Sequence, residues 1–104
     1  STESETIKLA CNNFYAVKIQ FFTEIYLLCQ KLNINYDTVR ESMIKNGWIN
    51  VMHTQIPGSD GKISYGGMCF PKDVKALTSF MNVNNLPNKI IKSCDEERNN
   101  IRFD

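Results

Sequence analysis

Apolar residues recur along the first third of the chain at Ile7, Ala10, Phe14, Val17, Phe21, Ile25, Leu28 and Leu32. Steps of three and four residues line up on one side of a helix, so the spacing predicts one long helix over 6–32. Thr2 followed by Glu5 has the form of a capping box at its start, and Asn33 and Asn35 are polar stop signals near its end. Phe22, Tyr26 and Leu27 widen the stripe beyond what one thin layer of protein covers, which leaves apolar surface for a second chain.

Asn35 or Asp37 can cap a second, short helix to about Lys45, with Val39 and Met43 on its inner side and Asn46-Gly47 at its end. From 47 to 67, Pro57-Gly58, Asp60-Gly61 and Gly66-Gly67 punctuate the backbone too densely for strands and predict a long ordered loop. Loops of that length are commonly functional. Pro71 suits the first position of a third helix, continuing through Val74, Leu77 and Phe80 to about Met81. Leu86-Pro87 restarts the chain into a fourth helix through Ile90, Ile91 and Cys94. The charged residues Asp95 to Asp104 are expected to fray or project, with Asp95-Glu96-Glu97-Arg98 a solvated helix end. The pattern is all-α: one long N-terminal helix and about three shorter ones around a long ordered loop.

Composition narrows the function. With 104 residues, 42% hydrophobic, the chain fits one small domain that buries a modest part of its surface, so a partner would add stability. Twelve basic against 11 acidic residues give a net charge of +1, no basic field of the kind nucleic acid or an anionic membrane selects. Lys18, Gln20, Thr23 and Glu24 interrupt the most apolar stretch, which falls short of a membrane-spanning run. Cys11, Cys29, Cys69 and Cys94 are widely separated, and the one histidine is His53, so metal-ligand spacing is absent and no metal is expected. The polar opening Ser1-Thr2-Glu3-Ser4-Glu5 is unlike an apolar leader, which predicts a cytoplasmic protein with reduced thiols rather than a disulfide-linked secreted one. His53, in a loop, is expected to be a surface or hydrogen-bonding residue.

The densest chemical signal is Tyr65-Gly66-Gly67-Met68-Cys69-Phe70-Pro71-Lys72-Asp73. Glycines let backbone amides approach a ligand, and a helix start beside Cys69 favours a thiolate, as does Lys72. Asp73 would oppose ionisation, so a reactive Cys69 needs Asp73 to position water or bond the reacting oxygen. A second pair, Lys8 and Asn12, lies four residues apart on one helical face, followed by Phe14 and Ala16.

Both stretches, in this order, resemble the UDP-glucose/GDP-mannose dehydrogenase family, whose signature reads glycine-glycine-x-cysteine-phenylalanine or leucine-proline-lysine-aspartate. The eight residues Gly66 to Asp73 match it, Lys8 and Asn12 match the family's lysine-asparagine pair, and Phe21-Phe22-Thr23-Glu24 is similar to its aromatic-asparagine-glutamate segment with Thr23 for asparagine. The resemblance covers nearly the whole chain and implies the family's central domain, with a 6-phosphogluconate-dehydrogenase-like C-terminal helical fold. It implies an NAD-dependent 6-dehydrogenase of a nucleotide sugar. Cys69 attacks the aldehyde from a first hydride transfer, and the thiohemiacetal is oxidised to a thioester that water releases as a uronic acid. Lys8 and Asn12 hold the oxygen at the reacting carbon, and Asp73 orients the water. Ser64, Tyr65, Gly66 and Gly67 line the sugar-nucleotide loop, and Lys72 meets the cofactor. A homodimer through the long helix is also implied.

Two departures bear on this. Relatives carry arginine-isoleucine-glycine, with an arginine reaching the neighbouring subunit's substrate, where this chain has Trp48-Ile49-Asn50, and Trp48 is expected to be a packing anchor. No G-x-G-x-x-G occurs in the 104 residues, so the expectation is a single central domain without N-terminal NAD-binding or C-terminal UDP/GDP-binding domains, silent alone. The competing idea is a non-catalytic dimerisation module derived from the family.

Overall fold

The computed structural model describes all of residues 1–104. It holds four helices and no strand: α1 (Thr2–Leu32), α2 (Tyr36–Ile44), α3 (Cys69–Val83) and α4 (Lys89–Ile101). The all-α expectation, its one long helix and its long loop are met. No helix is long and apolar enough to cross a membrane.

Helix α1 begins earlier than its apolar repeat. Ser1, not Thr2, is the N-cap, its hydroxyl oxygen accepting from the Ser4 N–H at 3.1 Å. Thr2 is already helical, so the Thr2–Glu5 box does not form. At the other end Asn33 takes a left-handed φ of 57°, and its N–H bonds the Gln30 carbonyl while that of Ile34 returns to Cys29. Asn35 then caps α2, accepting from the Thr38 N–H at 2.9 Å.

Two small cores sit along α1. Ala16, Tyr65, Val74 and Cys94 form one where α3 and α4 cross the helix; Phe22, Cys29, Tyr36 and Ile56 form the other beneath α2, with Val39 and Met43 against it as the pattern predicts. Only 15 of the 104 residues are buried, so both cores are thin and side-chain hydrogen bonds carry much of the loop's definition. The side of α1 that packs is not the predicted stripe. Asn13, Ala16, Gln20, Phe22, Thr23 and Cys29 are buried, whereas Ile7, Phe14, Phe21, Leu28 and Leu32 are exposed and Val17 and Ile25 half-buried. Phe22 and Tyr26, which widen the stripe in sequence, are the aromatics that reach the second core.

Other details depart from expectation. Pro71 is the third residue of α3, not the first, still within the turn whose N–H groups lack helical partners. The stretch 95–104 neither frays nor projects: α4 runs to Ile101, and Arg98 and Arg102 are 5% and 7% exposed. They are buried because the loop before α3 offers them carbonyls and the Asp60 carboxylate, and Asp104 offers a second carboxylate. Trp48 is 88% exposed and anchors nothing within the chain; Ile49 packs instead.

Candidate active site

Residues 45–68 are tied to the helices at intervals. Lys18 Nζ donates to the Asn50 carbonyl at 2.6 Å, and the Tyr36 hydroxyl to that of Thr54, also at 2.6 Å. Burial pushes the Tyr36 phenol up to about 12. Arg40 Nη1 donates to the Thr54 hydroxyl at 3.2 Å. Further along, the Ser64 N–H donates to Thr23 Oγ1 at 2.9 Å and the Ser64 hydroxyl to Gln20 Oε1. Ser64 has a φ of 64°, a left-handed conformation held by these two contacts, and Gly67 with φ 80° supplies the next reversal without a Cβ penalty.

That reversal delivers Cys69 as the first residue of α3, its thiol exposed. The N-cap is Met68 and no side chain caps the helix start. One helical turn on, Asp73 lies on the same face as Cys69. Asn12 Nδ2 donates to Asp73 Oδ2 at 2.7 Å, and the neighbouring Asn13 Nδ2 donates to the Asp73 backbone carbonyl at 3.1 Å and to that of Leu9 at 2.9 Å. Two consecutive asparagines of α1 thus grip both the side chain and the backbone of Asp73. The charge-assisted contact to the carboxylate fixes its direction.

The remaining sequence candidates divide. Lys8 is exposed one turn before Asn12 on α1, and Lys72 is exposed on α3. Tyr65 belongs to the core: it is 2% exposed, its hydroxyl lies 3.8 Å from Cys94 Sγ, and burial raises its pKa. Burial also pushes the Cys94 thiol up to about 11, which makes it a packing group rather than a nucleophile. Only the edges of Ser64, Tyr65, Gly66 and Gly67 face a cleft of about 700 Å³, which Arg40, His53 and Phe70 help to line. Neither Cys69 nor Asp73 is in its wall, although Phe70, between them, is.

His53 is more than a surface loop residue. Its ring stacks on Tyr15 with centroids 4.8 Å apart and meets Phe70 edge-on at 5.8 Å. Its Nδ1 is buried without a partner, and desolvation, then the Lys18 charge, holds its pKa below the usual histidine value. Asn13, Gln20, Arg98 and Arg102 are likewise unforeseen; no local pattern marks them, because their partners lie far away in sequence.

Residues 2–100 match the UDP-glucose/GDP-mannose dehydrogenase family, central domain. The chain belongs to that family. It is similar to the UDP-glucose 6-dehydrogenase of Campylobacter jejuni, 32% identical over 98% of this chain and 24% of that protein. The corresponding enzyme of Rhizobium meliloti is 37% identical over 86% of this chain and 20% of its own length, and that of Bacillus subtilis 33% over 93% and 21%. The chain therefore spans about a quarter or less of the relatives it matches. No solved structure matches it. The Asn12–Asp73 contact joins two segments, one on α1 and one on α3, that are 61 residues apart in sequence.

The doubly wound fold binds NAD at a helix start that follows a parallel strand. These 104 residues hold four helices and no strand, so that kind of site is not formed within them.

Proposed function

We propose that this chain is the central catalytic and dimerisation domain of a UDP-glucose or GDP-mannose 6-dehydrogenase, with a 6-phosphogluconate-dehydrogenase-like helical arrangement, and that it is silent by itself. Its share of the chemistry is covalent. The Cys69 thiolate adds to the C6 aldehyde of a nucleotide sugar, and the aldehyde oxygen becomes the hydroxyl of a thiohemiacetal. Lys8 and Asn12 hold that oxygen, and Asp73 orients the water that frees the uronic acid from the thioester, the species two electrons more oxidised than the thiohemiacetal. Ser64, Tyr65, Gly66 and Gly67 present the substrate loop, mainly through backbone. The oxidant for both two-electron steps would be NAD held by another domain of the complete enzyme, with Lys72 the residue of this chain that would face it.

The observation that carries this reading is the hydrogen bond from Asn12 to Asp73, four residues along α3 from the exposed Cys69. The exposed faces of Ile7, Phe14, Phe21, Leu28 and Leu32 favour a homodimer through α1, since a row of large apolar groups on a long helix costs solvation unless covered. The location proposed is cytoplasmic, where Cys69 stays reduced.

The test is protection of Cys69 from iodoacetamide, followed by mass spectrometry. The 6-aldehydes of UDP-glucose and GDP-mannose at millimolar concentration should slow labelling of Cys69, the parent nucleotide sugars should not, and NAD should not be reduced. Labelling unaffected by either aldehyde overturns the reading.

A further inference from the structure

Three successive backbone carbonyls, those of Ile63, Ser64 and Tyr65, meet the two buried arginines at the end of α4. Arg102 Nη1 donates to the first two at 3.3 and 3.2 Å, and Arg98 Nε to the third at 2.9 Å. Buried guanidinium groups persist only when their charge is compensated. Asp104 Oδ1 accepts from Arg102 Nε at 2.6 Å and from Arg98 Nη2 at 3.3 Å, while Asp60 Oδ2 accepts from Arg102 Nη2 at 2.5 Å. These bonds hold the Arg102 pKa above its ordinary value. The Arg98 guanidinium also lies 5.6 Å from the Tyr65 ring centroid.

The same group touches the next residue. Atoms of the Arg102 guanidinium occupy the space that a Cβ on Gly66 would take. Glycine is required at 66 for this close approach, not for a left-handed φ. Gly66 is therefore held from two directions, through the carbonyl before it and by the arginine packed against its Cα. Three residues on is Cys69, at a helix start that has no capping side chain of its own.

We propose that Arg98 and Arg102 are positioning residues for Cys69, setting the turn through Gly66 and Gly67 from the end of α4. This rests on the reading of Cys69 as the nucleophile. Loosening the turn lets the first turn of α3 fray, so the sulfur loses the helix start that favours an anionic nucleophile.

In the full chain carrying Cys11→Ser, Cys69 is the one exposed thiol, and its alkylation can be followed beside that of buried Cys29. Arg102→Ala and Gly66→Ala should each slow Cys69 about two- to fivefold, the range of one helix-terminus interaction. The double variant should be no slower than the slower single one, because both break one contact. Cys29, in the other core, reports global loosening: its labelling stays unchanged if the arginine positions the turn and rises if the role is merely structural. If Arg102→Ala lowers the folded fraction, Asp60→Asn, which removes one carboxylate charge from the guanidinium, carries the test with a smaller slowing of Cys69. An unchanged Cys69 rate, additive effects in the double variant, or a rise in Cys29 labelling in folded variants overturns the proposal. Protection by the nucleotide-sugar aldehydes is read separately, so either idea can fail while the other stands.

Discussion

Thr23→Val isolates the bond that holds the loop to the long helix. Valine has the shape of threonine without the hydroxyl, and Thr23 is fully buried, so the substitution removes little packing. What it removes is the acceptor for the Ser64 N–H at 2.9 Å, itself in a buried residue whose φ of 64° admits no easy relaxation. A buried donor left unpaired costs about 1–3 kcal/mol. With an unfolding entropy of roughly 2.1 cal/mol/K per residue, a chain of this size loses about 5–14 °C in Tm. Thermal unfolding followed by circular dichroism at fixed protein concentration measures the loss, and amide exchange at Ser64 locates it. Thr23→Ser is the control, since it keeps the hydroxyl, loses one methyl at about 0.8 kcal/mol, and leaves Ser64 exchange slow. A Thr23→Val chain that melts within about 2 °C of the parent with unchanged Ser64 exchange would refute the reasoning.

Two further outcomes are expected. Phe21→Glu places a charge in the exposed apolar row of α1 and should convert a dimer to a monomer by light scattering; a parent chain monomeric at all concentrations removes the dimer from the proposal. A hydrogen bond to Glu97, then burial and the Glu97 charge, raise the Glu24 carboxyl from 4.5 to about 7. The folded chain keeps this proton where the unfolded chain has released it, so the contribution is complete below about 4.5 and is lost as pH rises to about 7. Glu24→Gln should flatten that decline in denaturation midpoints, and a decline identical in both chains counts against the shared proton.

The elements were legible because their signals are local. Asn33, Asn35, Gly47 and Pro71 mark boundaries by their own backbone chemistry, and the apolar repeat of α1 needs no knowledge of its surroundings. Which side of α1 faces inward was not legible. Asn13, Gln20 and Thr23 are buried because Asp73, Glu97 and Ser64 bond them across 60, 77 and 41 residues, and hydropathy counts all three against burial. Arg98 and Arg102 misled for the same reason: a charged run looks solvated until a loop supplies three carbonyls. At the site, Cys69, Asp73 and Asn12 were read from motif, but that Asn12 bonds Asp73 directly is a property of how α1 crosses α3. Burial of the Tyr65 ring in the core was not legible either, since its partners Ala16, Val74 and Cys94 lie on three different helices.

Trp48 is the one tryptophan of the chain and is 88% exposed. Its emission in the folded state should already be that of an indole in water, so melting the helices should scarcely move the spectrum. Contact with another molecule at the 48–52 loop should shift it to shorter wavelength. Intrinsic fluorescence of this chain therefore reports encounter rather than folding, a built-in optical label in the loop that follows α2.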